Sequence, residues 1–262
     1  LYAAVRAYTK EDASVIICPP VYYPFYDAIL NTGRKLVTCD LDNHDGHFEL
    51  DFEKFEKTIE ENQVSMFILC SPHNPVCRVW TEEELEKVLD ICRRHGVLVL
   101  ADEIHQDFTY GDHHFVSTAI VKGGEYKDNL VILNAGSKTF NLAGLVGSYH
   151  IVYNQYLRDR LISKAEKTEY NSMNVLSMHA LIGAYRPEGY EWVDELCQVI
   201  DGNMEFACNY IREHFEGVRV SRPQGTYMLF VDFEGWCQKT GRSMDQLIKA
   251  GWDVGVAWQD GR

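Results

Sequence analysis

A lysine set among small and apolar residues carries the most chemical potential in this sequence. Lys138 lies in Asn134-Ala-Gly-Ser-Lys-Thr-Phe-Asn-Leu-Ala-Gly-Leu-Val-Gly147 and is the first charge after the apolar run Leu130-Val-Ile-Leu133. Its neighbours Ala135, Gly136, Phe140, Leu142, Ala143 and Leu145 offer its ammonium little water, which favours the neutral, nucleophilic amine. A Ser-Lys pair beside a turn is by itself an ordinary surface feature, so its context decides. Three further residues able to work with an amine also come after apolar runs: Tyr22, Asn74 and Asp102. Together the four offer a nucleophile, an anion, a hydrogen-bond donor and a flat face. Taken singly, Asp102 also suits a helix cap and Tyr22 a core aromatic.

The elements that must position these residues alternate. The spacing predicts a helix over 1–9, a strand over 13–18, a helix over 22–32 and a strand over 35–39. A charged helix comes next over 51–62, capped by Asp51, and then an apolar strand over 64–70. Thr81 and Glu84 form a capping box for the next helix, which stops at His95-Gly96 before a strand over 97–101. Strands this apolar have no wet face, so the pattern predicts an α/β fold with a mostly parallel sheet and helices on both faces. Such sheets bind ligands beyond the carboxyl ends of their strands, where Tyr22, Asn74, Asp102 and Lys138 all fall.

The second half changes character. Helices are expected over 155–167, 174–185, 190–215 and 243–250, with strands over 218–220, 226–232 and 253–257. A boundary near Pro187 gives a large domain over 1–187. Residues 188–262 then hold a linking helix and part of a smaller C-terminal α/β domain. The first helix begins without a cap and the last residues come after a strand-like run, so the chain is expected to be a fragment of a longer protein.

Bulk composition excludes some partners. Lys+Arg 25 against Asp+Glu 39 gives a net charge of −14 over 262 residues, which disfavours nucleic acid and anionic membrane faces. No run has the length of a membrane span, and the start lacks the pattern of a signal peptide. The eight cysteines are scattered without Cys-x-x-Cys spacing, as expected of reduced thiols in a cytoplasmic protein. His113-His114, with His95 and His105, has no carboxylate spacing that marks a metal site, so no metal is expected.

The four residue types at strand ends suit pyridoxal 5'-phosphate (PLP). Its aldehyde takes a lysine amine, its ring nitrogen a carboxylate that keeps it protonated, its O3' a donor and its ring a flat neighbour. The chain also resembles fold-type I PLP enzymes of the class I/II aminotransferase superfamily. The resemblance rests on Pro20-Val-Tyr22, Ser71-Pro-His-Asn-Pro75, Ala101-Asp-Glu-Ile-His105 and Ser137-Lys-Thr-Phe-Asn-Leu-Ala-Gly144, in order and with the usual separations. It implies that Lys138 is the Schiff-base lysine and Asp102 the partner of the pyridine nitrogen. It further implies Asn74 as donor to O3', Tyr22 as the stacking aromatic, Ser137 as a phosphate contact and Ile104 as packing under the ring.

Two departures resemble one branch. Common transaminases carry a phosphate-binding arginine eight positions after the lysine, where Val146 stands, and a tyrosine where His105 stands. Both departures, with Gly225-Thr-Tyr-Met-Leu-Phe-Val-Asp232, resemble cystathionine β-lyases and cysteine-S-conjugate β-lyases, and so place His105 in the cofactor site. The resemblance therefore implies a carbon–sulfur lyase acting on a small sulfur amino acid by β-elimination, and a homodimer. An aminotransferase uses the same residues, and a catalytically silent binding protein would keep the same fold. The family's glycine-containing phosphate loop is expected before Leu1, and the arginine for the substrate α-carboxylate after Arg262. Arg222 is not a motif match for that arginine.

Overall fold

Apolar runs become strands, and the polar segments between them become the covering helices. The computed structural model describes residues 1–169 and 172–261. The chain begins with α1 (Tyr2–Tyr8), β1 (Ser14–Ile17), α2 (Pro24–Leu30) and β2 (Lys35–Thr38). A hairpin of β3 (Asp42–His44) and β4 (His47–Glu49) then turns at Asp45-Gly46, where both residues have positive φ, 53° and 93°. The sequence expectations lack this hairpin, although Asp-Gly is the residue pair such a turn favours. Next come α3 (Phe52–Asn62), β5 (Val64–Cys70), α4 (Glu82–Arg94), β6 (Leu98–Asp102), β7 (Leu130–Asn134) and β8 (Tyr149–Ile151). Both expected caps form: the Asp51 side chain accepts from the Lys54 amide, and Thr81 and Glu84 close their capping box.

Six strands make the main sheet, in the order β2-β1-β5-β6-β7-β8. The first five are parallel and β8 runs antiparallel to β7. Successive side chains point to opposite faces, and each face has its own core. Ile16, Phe67 and Val99 pack with Phe55, Leu85 and Leu89 from α3 and α4. Val15, Ile17, Met66, Ile68, Leu100 and Val131 pack with Val5 from α1 and Phe25 from α2. The expected doubly covered sheet is therefore present. Because the chain passes from β1 outward to β2 and then returns to β5 on the other side, the strand order reverses between β1 and β5. That reversal is where open α/β sheets hold ligands.

After β8 come α5 (Gln155–Lys167), α6 (Val175–Ala184), α7 (Pro187–His214), β9 (Arg219–Val220), β10 (Val231–Asp232), α8 (Glu234–Thr240) and α9 (Met244–Asp253). Helix α7 starts three residues earlier than expected because Pro187 fits the first turn, where its missing N–H costs nothing. Two strand expectations fail. Of residues 226–232 only Val231 and Asp232 pair, with Val220 and Arg219, because the backbone before them bonds to loops of the main sheet instead. Residues 253–257 form no strand. Helix α9 runs on to Asp253, and the Gly255 and Val256 amides then turn back to Trp252 and Gly251 carbonyls (3.0 and 2.8 Å). Among the described residues no helix is long and apolar enough to cross a membrane.

Candidate active site

Parallel strands end on one edge of the sheet, and that edge gathers the expected residues. Tyr22 lies just after β1, Asn74 after β5 and Lys138 after β7, while Asp102 is the last residue of β6. Those strands are adjacent in the order β1-β5-β6-β7, so four residues far apart in sequence stand side by side. Asp102 is central, with Cys70 of β5 and Leu133 of β7 as its register partners. The ladder continues just past the strand ends: the Ser71 amide donates to the Asp102 carbonyl and the Glu103 amide to the Leu133 carbonyl, both at 3.0 Å.

Lys138 and Asp102 belong to one electrostatic neighbourhood. Burial raises the Asp102 carboxyl from its ordinary 3.8 to about 6, while the Ile104 amide, donating to Oδ1 at 3.3 Å, then the charge of the Leu1 amino group and, behind it, that of Lys138 oppose the rise. The same lysine charge reaches the Tyr22 phenol, although burial prevails there and raises it. His105 is 2% exposed, and burial first, then Lys138, lowers its imidazole to about 4. The lysine is only half-buried, wetter than its apolar neighbours implied. Among the described residues no ion pair or hydrogen bond engages its ammonium, so the amine is available to a ligand.

The turn that carries Lys138 is fastened on both sides to the segment after β6. Asn134 Nδ2 donates to Gln106 Oε1 at 2.7 Å, and the fully buried Thr139 donates from Oγ1 to Asp107 Oδ2 at 2.6 Å. Phe140 and Leu142 amides close the turn onto Gly136 and Ser137 carbonyls, both at 3.0 Å. Asn74 is buried, and its Nδ2 lies 3.5 Å from His105 Nε2, the outer limit of a contact. If Asn74 donates there, the remaining hydrogen sits on His105 Nδ1, which is buried without a partner. Ser137 is half-buried beside a small cavity that it shares with Gly136, Gly147 and Ser177.

The chain matches the family described as aminotransferase class I and II over residues 1–261. It belongs to that family. It is 33% identical over 252 residues to the cystathionine beta-lyase PatB of Bacillus subtilis strain 168, covering 96% of this chain and 64% of PatB. Its fold is similar to that of cystalysin from Treponema denticola, whose crystal structure contains a pyridoxal 5'-phosphate cofactor. There the TM-score is 0.91 and the identity 30%, over 98% of this chain and 64% of that one. Another similar structure, the PLP-bound C-S lyase from Staphylococcus hominis in complex with L-cycloserine, gives a TM-score of 0.90 and 27% identity over 98% of this chain and 64% of that one. Aminotransferases lie among the more distant relatives. The chain thus spans 64% of the length of the first relatives it matches.

In this class I/II fold the residues present fit a PLP cofactor. Asp102 is a carboxylate short of donors, Lys138 an uncommitted amine, and Asn74 and His105 buried polar groups with unused hydrogen-bonding capacity. Sequence reasoning missed Gln106, Asp107 and Thr139, which fix the lysine turn, and Glu103, whose carboxylate accepts from Ser117 Oγ and the Thr118 amide at 2.8 Å and from Thr118 Oγ1 at 2.6 Å. A Glu directly after Asp102, at the end of an apolar strand, was the available signal. His95, expected as a loop histidine, meets Glu56 at 2.7 Å and Glu60 at 3.8 Å. Arg94 also pairs with Glu56, so this is an ion-pair cluster at the opposite edge of the sheet, where α3 and α4 lead into the starts of β5 and β6.

Proposed function

We propose that this chain is the cofactor-binding part of a PLP-dependent carbon–sulfur β-lyase. It would cleave cystathionine or related cysteine S-conjugates, with one water, to a thiol, pyruvate and ammonia. The observation that carries the PLP part of the reading is the placement of Tyr22, Asn74, Asp102 and Lys138 at adjacent strand ends. When bound, the cofactor would supply an aldehyde for an amine and a cationic ring that accepts electrons from the substrate's Cα.

Each residue has a task that its surroundings support. The Asp102 carboxylate would hold the proton of the ring nitrogen. Lys138 Nζ would hold the aldehyde and, as a free amine, would take the Cα proton. Carbon–sulfur cleavage comes next, as the electron pair of that C–H bond forms the Cα–Cβ double bond and the Cβ–S pair leaves with sulfur. Lys138 then returns a proton to the thiolate. Asn74 would donate toward O3', Tyr22 would stack on the ring, Ile104 would pack against it, and Ser137 would contact the phosphate. His105, kept neutral by burial, offers a nitrogen without adding charge.

Elimination is preferred over amino transfer because His105 and Val146 stand where common transaminases carry tyrosine and arginine, and because the likeness to PatB is closer than that to aminotransferases. The deciding test is pyruvate release from cystathionine by the full-length protein without a 2-oxo acid. Dependence on such an acceptor would replace the lyase by an aminotransferase. The same reading takes residues 1–187 as the large domain and 188–262 as part of the small one. It also makes the protein a cytoplasmic homodimer; the exposed apolar side chains Val175, Leu176 and Ile182 of α6 support a subunit contact.

A further inference from the structure

The C-terminal segment 224–228 threads between the two loops that carry Asn74 and His105. Gln224 and Gly225 amides donate to the Cys77 carbonyl (3.0 and 3.2 Å), the Thr226 amide to the Phe108 carbonyl (3.1 Å), and the Tyr110 amide to the Gln224 carbonyl (3.0 Å). Gly225 has no room for a side chain: a Cβ there would lie 2.6 Å from the Phe108 carbonyl oxygen. Thr226 is fully buried at φ +65°, a conformation that a β-branched residue adopts only when its surroundings impose it. The next residue emerges. Tyr227 is 39% exposed, its ring centroid 5.3 Å from His105 and 5.5 Å from Phe108, and its phenol acts on that of Tyr22.

The buried pair Gly225-Thr226 thus presents one exposed aromatic ring beside His105. We propose that Tyr227 is a specificity residue whose ring contacts the substituent on the substrate's Cβ. The inference rests on the site being a PLP site for amino acids, as proposed above. Seated on the buried Phe108 and beside His105, the half-exposed ring offers an aromatic face, which favours a thioether or apolar substituent over a charged one. Sulfur packs well against aromatic rings, especially at their edges. The hydroxyl is not needed for this contact.

The test uses the full-length, PLP-loaded protein as wild type, Tyr227→Phe and Tyr227→Ala. S-methyl-L-cysteine and L-alanine are titrated in turn, and binding is read from the absorbance change of the cofactor. Wild type is expected to bind S-methyl-L-cysteine more tightly than alanine. Tyr227→Ala should lose about three- to tenfold of that ratio, the range a sulfur–aromatic contact supports, and Tyr227→Phe should keep it within about twofold. A wild type without the preference, an unchanged ratio in Tyr227→Ala, or an equal loss in Tyr227→Phe would overturn the proposal. Should Tyr227→Ala fail to hold the cofactor, Tyr227→Leu, which keeps bulk without a ring, is read in its place with the same expectations. The absorbance change is read by stopped flow as the binding phase that precedes turnover, so the ratio is independent of whether sulfur leaves or the amino group is transferred. The pyruvate assay decides that question separately.

Discussion

Replacing Asp102 by asparagine is expected to stabilise the cofactor-free protein at neutral pH while removing its function. Burial raises this carboxyl from 3.8 to about 6, so ionising it in the folded chain costs more than in the unfolded one. That rise corresponds to about 3 kcal/mol, at about 1.36 kcal/mol for each tenfold change in proton affinity. The figure is an upper bound, because the side chain is only half-buried and water screens the remainder. Below about pH 4 the group is protonated in both states and the substitution changes little. Between about pH 4 and 6 the unfolded chain releases the proton first, so wild-type stability falls, and above 6 the full cost is present. Asparagine escapes this cost and keeps an oxygen to accept from the Ile104 amide. Urea unfolding of both cofactor-free proteins at about pH 4 and pH 7.5 should therefore show a gap near zero that grows to about 2–3 kcal/mol in favour of Asp102→Asn. A variant less stable than wild type at the higher pH, or a gap independent of pH, would refute the reasoning. Saturating PLP should reverse the order, since a cationic ring nitrogen pairs with a carboxylate and not with an amide.

Glu103→Gln should destabilise the fold by about 1–2 kcal/mol, because it puts an NH2 in place of one of the two oxygens that between them accept from Ser117 Oγ, the Thr118 amide and Thr118 Oγ1; a urea midpoint equal to wild type would contradict this. Gly225→Ala should cost about 1–3 kcal/mol of overpacking, since its Cβ would press on Phe108 and on Val79 Cγ2 at 2.7 Å. That substitution should also weaken the S-methyl-L-cysteine preference by shifting Tyr227, and a melt unchanged from wild type would show that the segment is not clamped as described.

The first half of the fold was legible because each strand is a short apolar run bounded by Pro, Gly or a capping residue, and each helix between them declares its start. Asp51 and Thr81 did so through side-chain acceptors that the structure uses. The placement of the candidate site residues was legible for a related reason: in a parallel sheet, the residues just beyond the strand ends all fall on one edge. Residues 218–257 lie outside that alternation and are bound by no such rule. Val231-Asp232 pairs over two residues only, and the apolar stretch before it serves as a clamp on loops distant in sequence. Period-two hydrophobicity cannot distinguish a strand from a segment whose backbone finds its partners far along the chain. Asp107, Thr139 and Tyr227 were hidden likewise, since their roles depend on contacts between elements and not on local spacing.

Asp102 and Glu103 show how the fold separates structure from chemistry within one dipeptide. Strand alternation sends neighbouring side chains to opposite faces. Glu103 turns into protein, where two hydroxyls and an amide satisfy its carboxylate. Asp102 turns toward the strand-end edge, where one long bond from the Ile104 amide is its hydrogen-bonded support. Both are raised by burial, yet only Asp102 has Lys138 acting on it. A carboxylate left short of donors beside an uncommitted amine is a standing cost to the empty fold. A ligand that is cationic at one end and electrophilic at the other would relieve it at both ends, so the instability at Asp102 is itself a source of affinity for the cofactor that the site is proposed to hold.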